Sequence, residues 1–348
     1  MLPSVQTAYT FKRGSRDIVR RDDWPVPRPQ DSQVLLKVEA VGLCMSDVHI
    51  LMAQEKHVPE TFVMGHEIAG QIAAVGGKLA LDPRYNVGNR FTVCIGITCG
   101  RCANCRNGHD NCCTGYGKFP EAYGLNRDGG FQQYLLVSDL NTLLPLPEGL
   151  SYELAAVASD SVLTPLHAVH KVKADLVPTA KILVMGLGGL GSNAVQIIKN
   201  YGCHVVGCDV KPELEVVARR CGADEFYTDI NSSPHNPELF DVCFDFCGFQ
   251  ETFDSCQKYA QSGGKIVVVG LGRSKLMLRN YDSARRSLQV IFSFGGSAAS
   301  QEQLLQWVNK GIVKPLVTNG DFAELPQYLE RLAKGEVKGR VVFRPSKL

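Results

Sequence analysis

The chain reads as an α/β protein of two domains, one mostly β and one a doubly wound parallel sheet. Three observations predict this. Its 348 residues are more than twice the size of a typical single domain. Residues 1–155 run as β-rich stretches punctuated by glycine and proline, with little 3.6-residue periodicity. From residue 181 onward, short apolar runs alternate with helical spacing, as βα units on a parallel sheet do.

In the first part, residues 34–41, 68–75 and 131–137 read as strands. In the second, strands are expected at 181–186, 203–209, 225–228, 242–247, 265–271 and 289–294. Helices are expected at 192–199, 213–221 and 252–260 between them. Residues 301–309 and 325–334 look helical, and 340–343 reads as a closing strand.

Composition narrows the function classes. Hydrophobic residues at 45% and charged residues at 21% supply two ordinary cores. A net charge of +2 gives no reason to expect nucleic acid or an anionic membrane as partner. No apolar run reaches the ~20 residues of a membrane span, and residues 1–13 lack a signal-peptide core. A cytoplasmic protein is the expectation. Thirteen cysteines leave at least one unpaired, and clustering in such a chain favours metal over disulfides.

Gly186-Leu187-Gly188-Gly189-Leu190-Gly191 follows an expected strand and opens an expected helix. Gly186 permits the tight turn, Gly188 lets backbone amides approach a pyrophosphate, and Gly191 allows close helix–strand packing. The helix N-terminus adds partial positive charge there. Asp209 ends the next strand, where a carboxylate accepts from ribose hydroxyls and repels a 2′-phosphate; this favours NAD over NADP. Lys211 nearby could help hold an extra phosphate.

Cys99-x2-Cys102-x2-Cys105-x7-Cys113 offers four thiolates from one loop, the donor set of a closed structural zinc site. Cys112 is an adjacent competitor, and Cys94 reads as a buried apolar residue. A second set is dispersed: Cys44 and His66, with Glu67 directly after, and Asp160 as a plausible acidic third ligand. Three protein donors with an open fourth position is the catalytic arrangement.

Further motifs accompany these: Gly65-His66-Glu67-Ile68-Ala69-Gly70 with Gly76, and Asp128-Gly129-Gly130-Phe131-Gln132-Gln133-Tyr134. In this order, over essentially the whole chain, they resemble the zinc-containing medium-chain alcohol dehydrogenases, in particular the yeast-type, secondary-alcohol and carbonyl-reductase branch. The resemblance implies a GroES-like catalytic domain at 1–160, a Rossmann NAD-binding domain at 161–296, and a return to the catalytic domain at 297–348. It implies two zinc ions per subunit, one catalytic on Cys44, His66 and Asp160, one structural on the four-cysteine loop. Many family members carry cysteine at the third catalytic position; some secondary-alcohol enzymes carry aspartate. Glu67 matches a residue that can approach the metal, and Asp47 a carboxylate that orients the zinc-bound histidine. Ser46 and His49 match a proton relay. Thr164 matches a nicotinamide contact and Arg340 a pyrophosphate contact. Gly189, Leu190, Lys211 and Gly270 are expected to line the cofactor site with them.

Two departures stand out. Met45 replaces a histidine that often touches the cofactor phosphates, and a thioether cannot donate to phosphate. Gly88-Asn89-Arg90 replaces a frequent Gly-Asp-Arg, which puts in doubt an ion pair there. The expected activity is hydride transfer between NAD(H) and a primary or, favoured, secondary alcohol or ketone. The alternatives are a polyol dehydrogenase and a catalytically silent binding protein. Mostly apolar candidate walls (Ile95, Ile97, Phe119, Phe294) weigh against polyols. A homodimer or homotetramer joined through the cofactor domains is expected from the resemblance.

Overall fold

The computed structural model describes residues 1–53, 58–116 and 121–347. They form two compact units, one of residues 1–160, 297–309 and 315–348, the other of 161–296 and 310–314.

The first unit opens with β1 (Val5–Lys12), β2 (Ile18–Pro25), β3 (Val34–Gly42), β4 (Thr61–Val63) and β5 (Glu67–Val75). β6 (Arg90–Val93), β7 (Tyr134–Val137) and β8 (Leu143–Pro145) follow. β1 pairs antiparallel with both β2 and β4. β2 is an edge strand carrying Arg20, Arg21, Asp22 and Asp23, exposed and ion-paired two apart. Charge on an edge discourages further pairing, and it also erases the alternation that betrays a strand in sequence.

β3 is the centre of the larger sheet, antiparallel to β5 and β7, and its run of Val, Leu and Ala is almost wholly buried. Phe11, Leu36, Phe62, Ile68 and Phe131 share its core. The β3–β5 register pairs Gly42 with Glu67 and Val41 with Ile68. The end of one strand therefore lies beside the start of the other. The helix Tyr152–Val157 packs on both strands and begins at Ser151, whose hydroxyl accepts from Leu154 N. Asn89 donates to the carbonyls of Pro83 and Arg84, closing the loop at the departure noted above.

The second unit is a six-stranded sheet of β9 (Lys181–Met185), β10 (His204–Cys208), β11 (Glu225–Tyr227), β12 (Phe240–Asp245), β13 (Ala260–Val268) and β14 (Gln289–Phe292). Every pairing is parallel, and the order is β11-β10-β9-β12-β13-β14. The order reverses between β9 and β12, the switch point where open sheets of this kind bind ligands at strand C-termini. Leu183, Val206, Phe240, Ile266 and Val268 fill its core. The chain then returns to the first unit with β15 (Val317–Asn319) and β16 (Arg340–Phe343), the latter antiparallel to β3 with Val342 opposite Gly42. Among the described residues no helix is long and apolar enough to cross a membrane.

Candidate active site

Sheet register explains why Cys44 and His66 meet. Cys44 follows the end of β3, and His66 precedes the start of β5, where Gly65 turns at φ +89°. A β-carbon at Gly65 would strike the Phe131 ring at 2.6 Å, so only glycine serves there. Asp160 arrives on a single π-helical turn, Ala158–Val162, immediately after the helix that packs on β3 and β5. Such turns recur at functional sites because they re-aim a side chain within a helix.

Cys44 Sγ stands 3.3 Å and His66 Nε2 3.7 Å from Asp160 Oδ2. Donor atoms of Cys44, His66, Glu67 and Asp160 all lie within 4.8 Å of one another, and the set is largely buried. Tetrahedral zinc at ordinary bond lengths sets neighbouring donors roughly 3.3–3.8 Å apart, so the separations of Cys44 and His66 from Asp160 fit the ion as they stand. Asp47 is fully buried and serves two of them: Oδ2 accepts from Cys44 N at 2.9 Å, and Oδ1 lies 3.4 Å from His66 Nδ1.

Charge points the same way. Burial pushes the Glu67 carboxyl well above its ordinary range, against the pull of Arg340. Burial opposes ionisation of Asp160 too, but His66 and Arg340 outweigh it and hold that carboxyl below its usual range. For His66, burial disfavours the charged form, while Asp47 and Asp160 prevail and raise the pKa well above normal. The imidazole thus keeps a proton that a metal cation would replace.

The helix α1 (Met45–Ala53) carries Ser46 and His49 one turn apart. Ser46 is half-buried with its Oγ 3.7 Å from Cys44 Sγ; His49 is exposed. Sequence periodicity missed this helix because apolar residues occur around its whole circumference, leaving little contrast between faces. Of the expected apolar walls, Ile97 is buried, Ile95 is half-buried, Phe294 is 66% exposed, and Phe119 lies outside the described residues.

Arg340 lies inside the ligand cluster. Its Nη2 is 3.1 Å from Glu67 Oε1 and 3.5 Å from Asp160 Oδ2, and Nη1 donates to Leu43 O at 3.3 Å. Nothing in the sequence places this arginine there, because the contact depends on β16 lying along β3.

The cysteine loop gathers Cys99, Cys102, Cys105 and Cys113, with all four sulfurs within 4.8 Å of one another. Backbone amides of Cys99 and Gly115 point at Cys113 Sγ, and that of Cys102 at Cys99 Sγ, each at 3.3 Å. The amides of Cys105 and Thr114 pull Cys102 down to about 5, while desolvation and its sulfur neighbours push Cys105 up to about 12. Four thiolates do not share such a space without a cation, and zinc fits the set. Cys112 is exposed and outside the cluster; burial raises Cys94 to about 12.

In the second unit, the glycine loop joins β9 to the helix Gly191–Lys199. Gly186 turns at φ +84°, and a β-carbon there would meet Cys247 Sγ at 2.4 Å. A β-carbon at Gly191 would lie 1.8 Å from Gly186 O, whereas one at Gly188 would meet nothing within 4 Å. Two of the glycines thus serve packing, and the third borders open space. Gly189 O accepts from Asn193 Nδ2, and Leu190 precedes the first helical residue. Asp209 Oδ2 accepts from Leu187 N at 2.8 Å and Oδ1 from Lys211 N at 3.1 Å, tying strand end to loop. Gly270 abuts the backbone of Cys247 and Gly248, and its N–H donates to Asp245 O. Thr164 is buried on the helix Leu163–His170.

Known proteins match both units. The alcohol dehydrogenase GroES-like domain matches residues 30–148, and the zinc-binding dehydrogenase domain residues 189–310. An NAD-dependent alcohol dehydrogenase of Sulfurisphaera tokodaii is 31% identical over 94% of this chain and 96% of its own. A sorbitol dehydrogenase of Bacillus subtilis is 32% identical over 86% of each. The solved structure of acetophenone reductase from Geotrichum candidum, in complex with NAD, superposes with a TM-score of 0.90 at 37% identity. That likeness covers 100% of this chain and 99% of the reductase.

Proposed function

We infer, from a chain that belongs to the zinc-containing medium-chain alcohol dehydrogenase family, an enzyme that moves hydride between NAD(H) and an alcohol or ketone. Secondary alcohols and their ketones are the favoured substrates. The observation that carries this reading is the meeting of Cys44, His66 and Asp160, from three distant segments, at zinc-ligand spacing. Zinc held there supplies a Lewis acid that acidifies an alcohol or polarises a carbonyl, and bound NAD supplies the hydride acceptor.

The chain's own residues do the rest. Asp47 fixes the His66 ring and, through Cys44 N, the approach of the thiolate. Ser46 and His49, a helical turn apart, carry the alcohol proton from the buried sulfur side of α1 to its exposed side. The Asp209 carboxylate, beside the glycine loop, favours a free ribose 2′-hydroxyl and hence NAD. Arg340 and Thr164 remain proposed contacts to pyrophosphate and nicotinamide.

A homo-oligomer joined through the cofactor units is supported by β14, one of the sheet's two edge strands, where Phe292 is 67% exposed and Tyr281 nearby in sequence 83%. The cytoplasm is the proposed compartment. The test is a panel of primary alcohols, secondary alcohols, ketones and polyols with NAD(H) and NADP(H). Highest kcat/KM on a secondary alcohol or ketone with NAD(H) is expected. Preference for polyols would transfer the chain to the sugar-alcohol branch, and no turnover on any of them would remove the enzymatic reading.

A further inference from the structure

Asn193 is a polar side chain in an apolar setting. It lies in the first turn of the helix Gly191–Lys199, 3% exposed, among buried Ala194, Val195 and Ile197. Taking an amide out of water costs free energy unless its hydrogens are bonded. Both are: Nδ2 donates to Gly189 O and to Ser161 O, each at 2.9 Å.

One amide therefore joins two segments that lie far apart in the chain. Gly189 belongs to the glycine loop. Ser161 is the residue after Asp160 on the π-helical turn Ala158–Val162, and it is wholly buried. We propose that Asn193 is a positioning residue that ties the turn bearing Asp160 to the glycine loop, so that dinucleotide binding tightens the hold on the metal; this rests on the zinc and NAD reading above.

At the loop end the link runs through one peptide plane. Gly189 O and Leu190 N–H share it, and a trans peptide is rigid. Leu190 precedes the first helical residue, so its amide is among those that open the helix and attract an anion. A phosphate held there fixes the plane, and with it the carbonyl that Asn193 grips. At the other end, holding Ser161 O restrains the backbone from which Asp160 projects. The amide is also braced from behind. Gln196 Nε2 donates to Asn193 Oδ1 at 3.4 Å and to Lys314 O at 3.2 Å, while Gln196 Oε1 accepts from Lys314 N at 2.8 Å. The bracing aims the two hydrogens of Asn193 at the two carbonyls.

The test is the zinc affinity of the full-length protein, measured at equilibrium against chelator-buffered zinc, with and without saturating NADH. The cysteine-loop zinc is the internal reference. In the wild type, NADH is expected to tighten the second zinc about fivefold or more, the lower end of the range for coupled sites. A serine at the preceding position, Ser192, bonds back to Gly188 O at 2.8 Å. Asn193→Ser should likewise keep the loop contact and lose the one to Ser161, because a single hydroxyl hydrogen cannot serve two carbonyls. In that variant the NADH effect on zinc should fall to about one, while each ligand still binds. Coupling is reciprocal, so NADH affinity by fluorescence should depend on the second zinc by the same factor in the wild type and not in the variant. An NADH effect that survives in Asn193→Ser, or a wild type with both zinc ions and no such effect, would overturn the proposal. So would weaker binding of both ligands at an unchanged ratio, which is what a packing residue gives. Should Asn193→Ser fail to fold, Asn193→Leu decides by the same ratio, since it keeps the branched shape and loses both donors. A wild-type protein with no second zinc, or one that does not bind NADH, would instead sink the metal or cofactor reading itself, and the proposal with it.

Discussion

The first unit holds two donor clusters that use cysteine in opposite ways. Cys99, Cys102, Cys105 and Cys113 come from one loop, the first three half-buried and Cys113 buried, and form a set complete in itself. Cys44, His66 and Asp160 come from the end of β3, the approach to β5 and a π-helical turn, and are brought together only by the fold. The loop cluster needs the metal to be ordered, having little apolar surface of its own. The dispersed cluster is ordered by the sheet beneath it, so on our proposal a metal there is free to do chemistry. A closed site stabilises; an open one reacts.

That contrast can be broken at several points. The largest effect is expected from Cys44→Ala or His66→Ala. Each should lose roughly a thousandfold or more in kcat, because Lewis-acid assistance supplies several kcal/mol and each 1.4 kcal/mol is tenfold. NADH binding, followed by fluorescence, should survive. Cys105→Ser should do the reverse: the melting temperature falls by several degrees while freshly prepared enzyme keeps its turnover. Equal losses of activity from both clusters would erase the distinction between them.

Smaller effects sharpen it. Asp47→Asn leaves the donors in place but loosens the His66 ring, and zinc affinity should drop about 10- to 100-fold by competition with a chelator. Asp209→Ala removes a charged acceptor, so NAD should bind roughly tenfold or more weakly while NADP changes little. An unaltered NAD to NADP ratio would strip Asp209 of its role. The mildest change is expected in His49→Gln, which should slow alcohol oxidation by about tenfold at most, with partial recovery in concentrated imidazole buffer. A rate independent of buffer in that variant would exclude the relay.

What the sequence disclosed follows the same divide. The four-cysteine spacing and the glycine loop are local, and their chemistry could be read without any fold. The parallel sheet is equally plain, since strands buried on both faces read as unbroken apolar runs such as 182–185. The hairpin partner β2 was invisible because its charged residues face solvent along an edge. The helix α1 has no apolar stripe to announce it, although Ser46 and His49 on it stand out by resemblance. The place of Arg340 was beyond reach: β16 meets β3 across nearly the whole length of the chain. That Gly42 leaves room for Glu67, whose Oε2 lies 2.0 Å from where its β-carbon would be, has a signal in a glycine closing a largely apolar strand, but its meaning needs the register.

On our proposal the first unit carries a second, open zinc site distinct from the cysteine loop. Zinc content per chain, measured by atomic emission on the wild type and on His66→Ala, tests it most directly. One ion for each of the two donor clusters is expected in the wild type, and loss of one of them in the variant. A wild-type protein holding only the cysteine-loop zinc, or a variant that loses none, would contradict it.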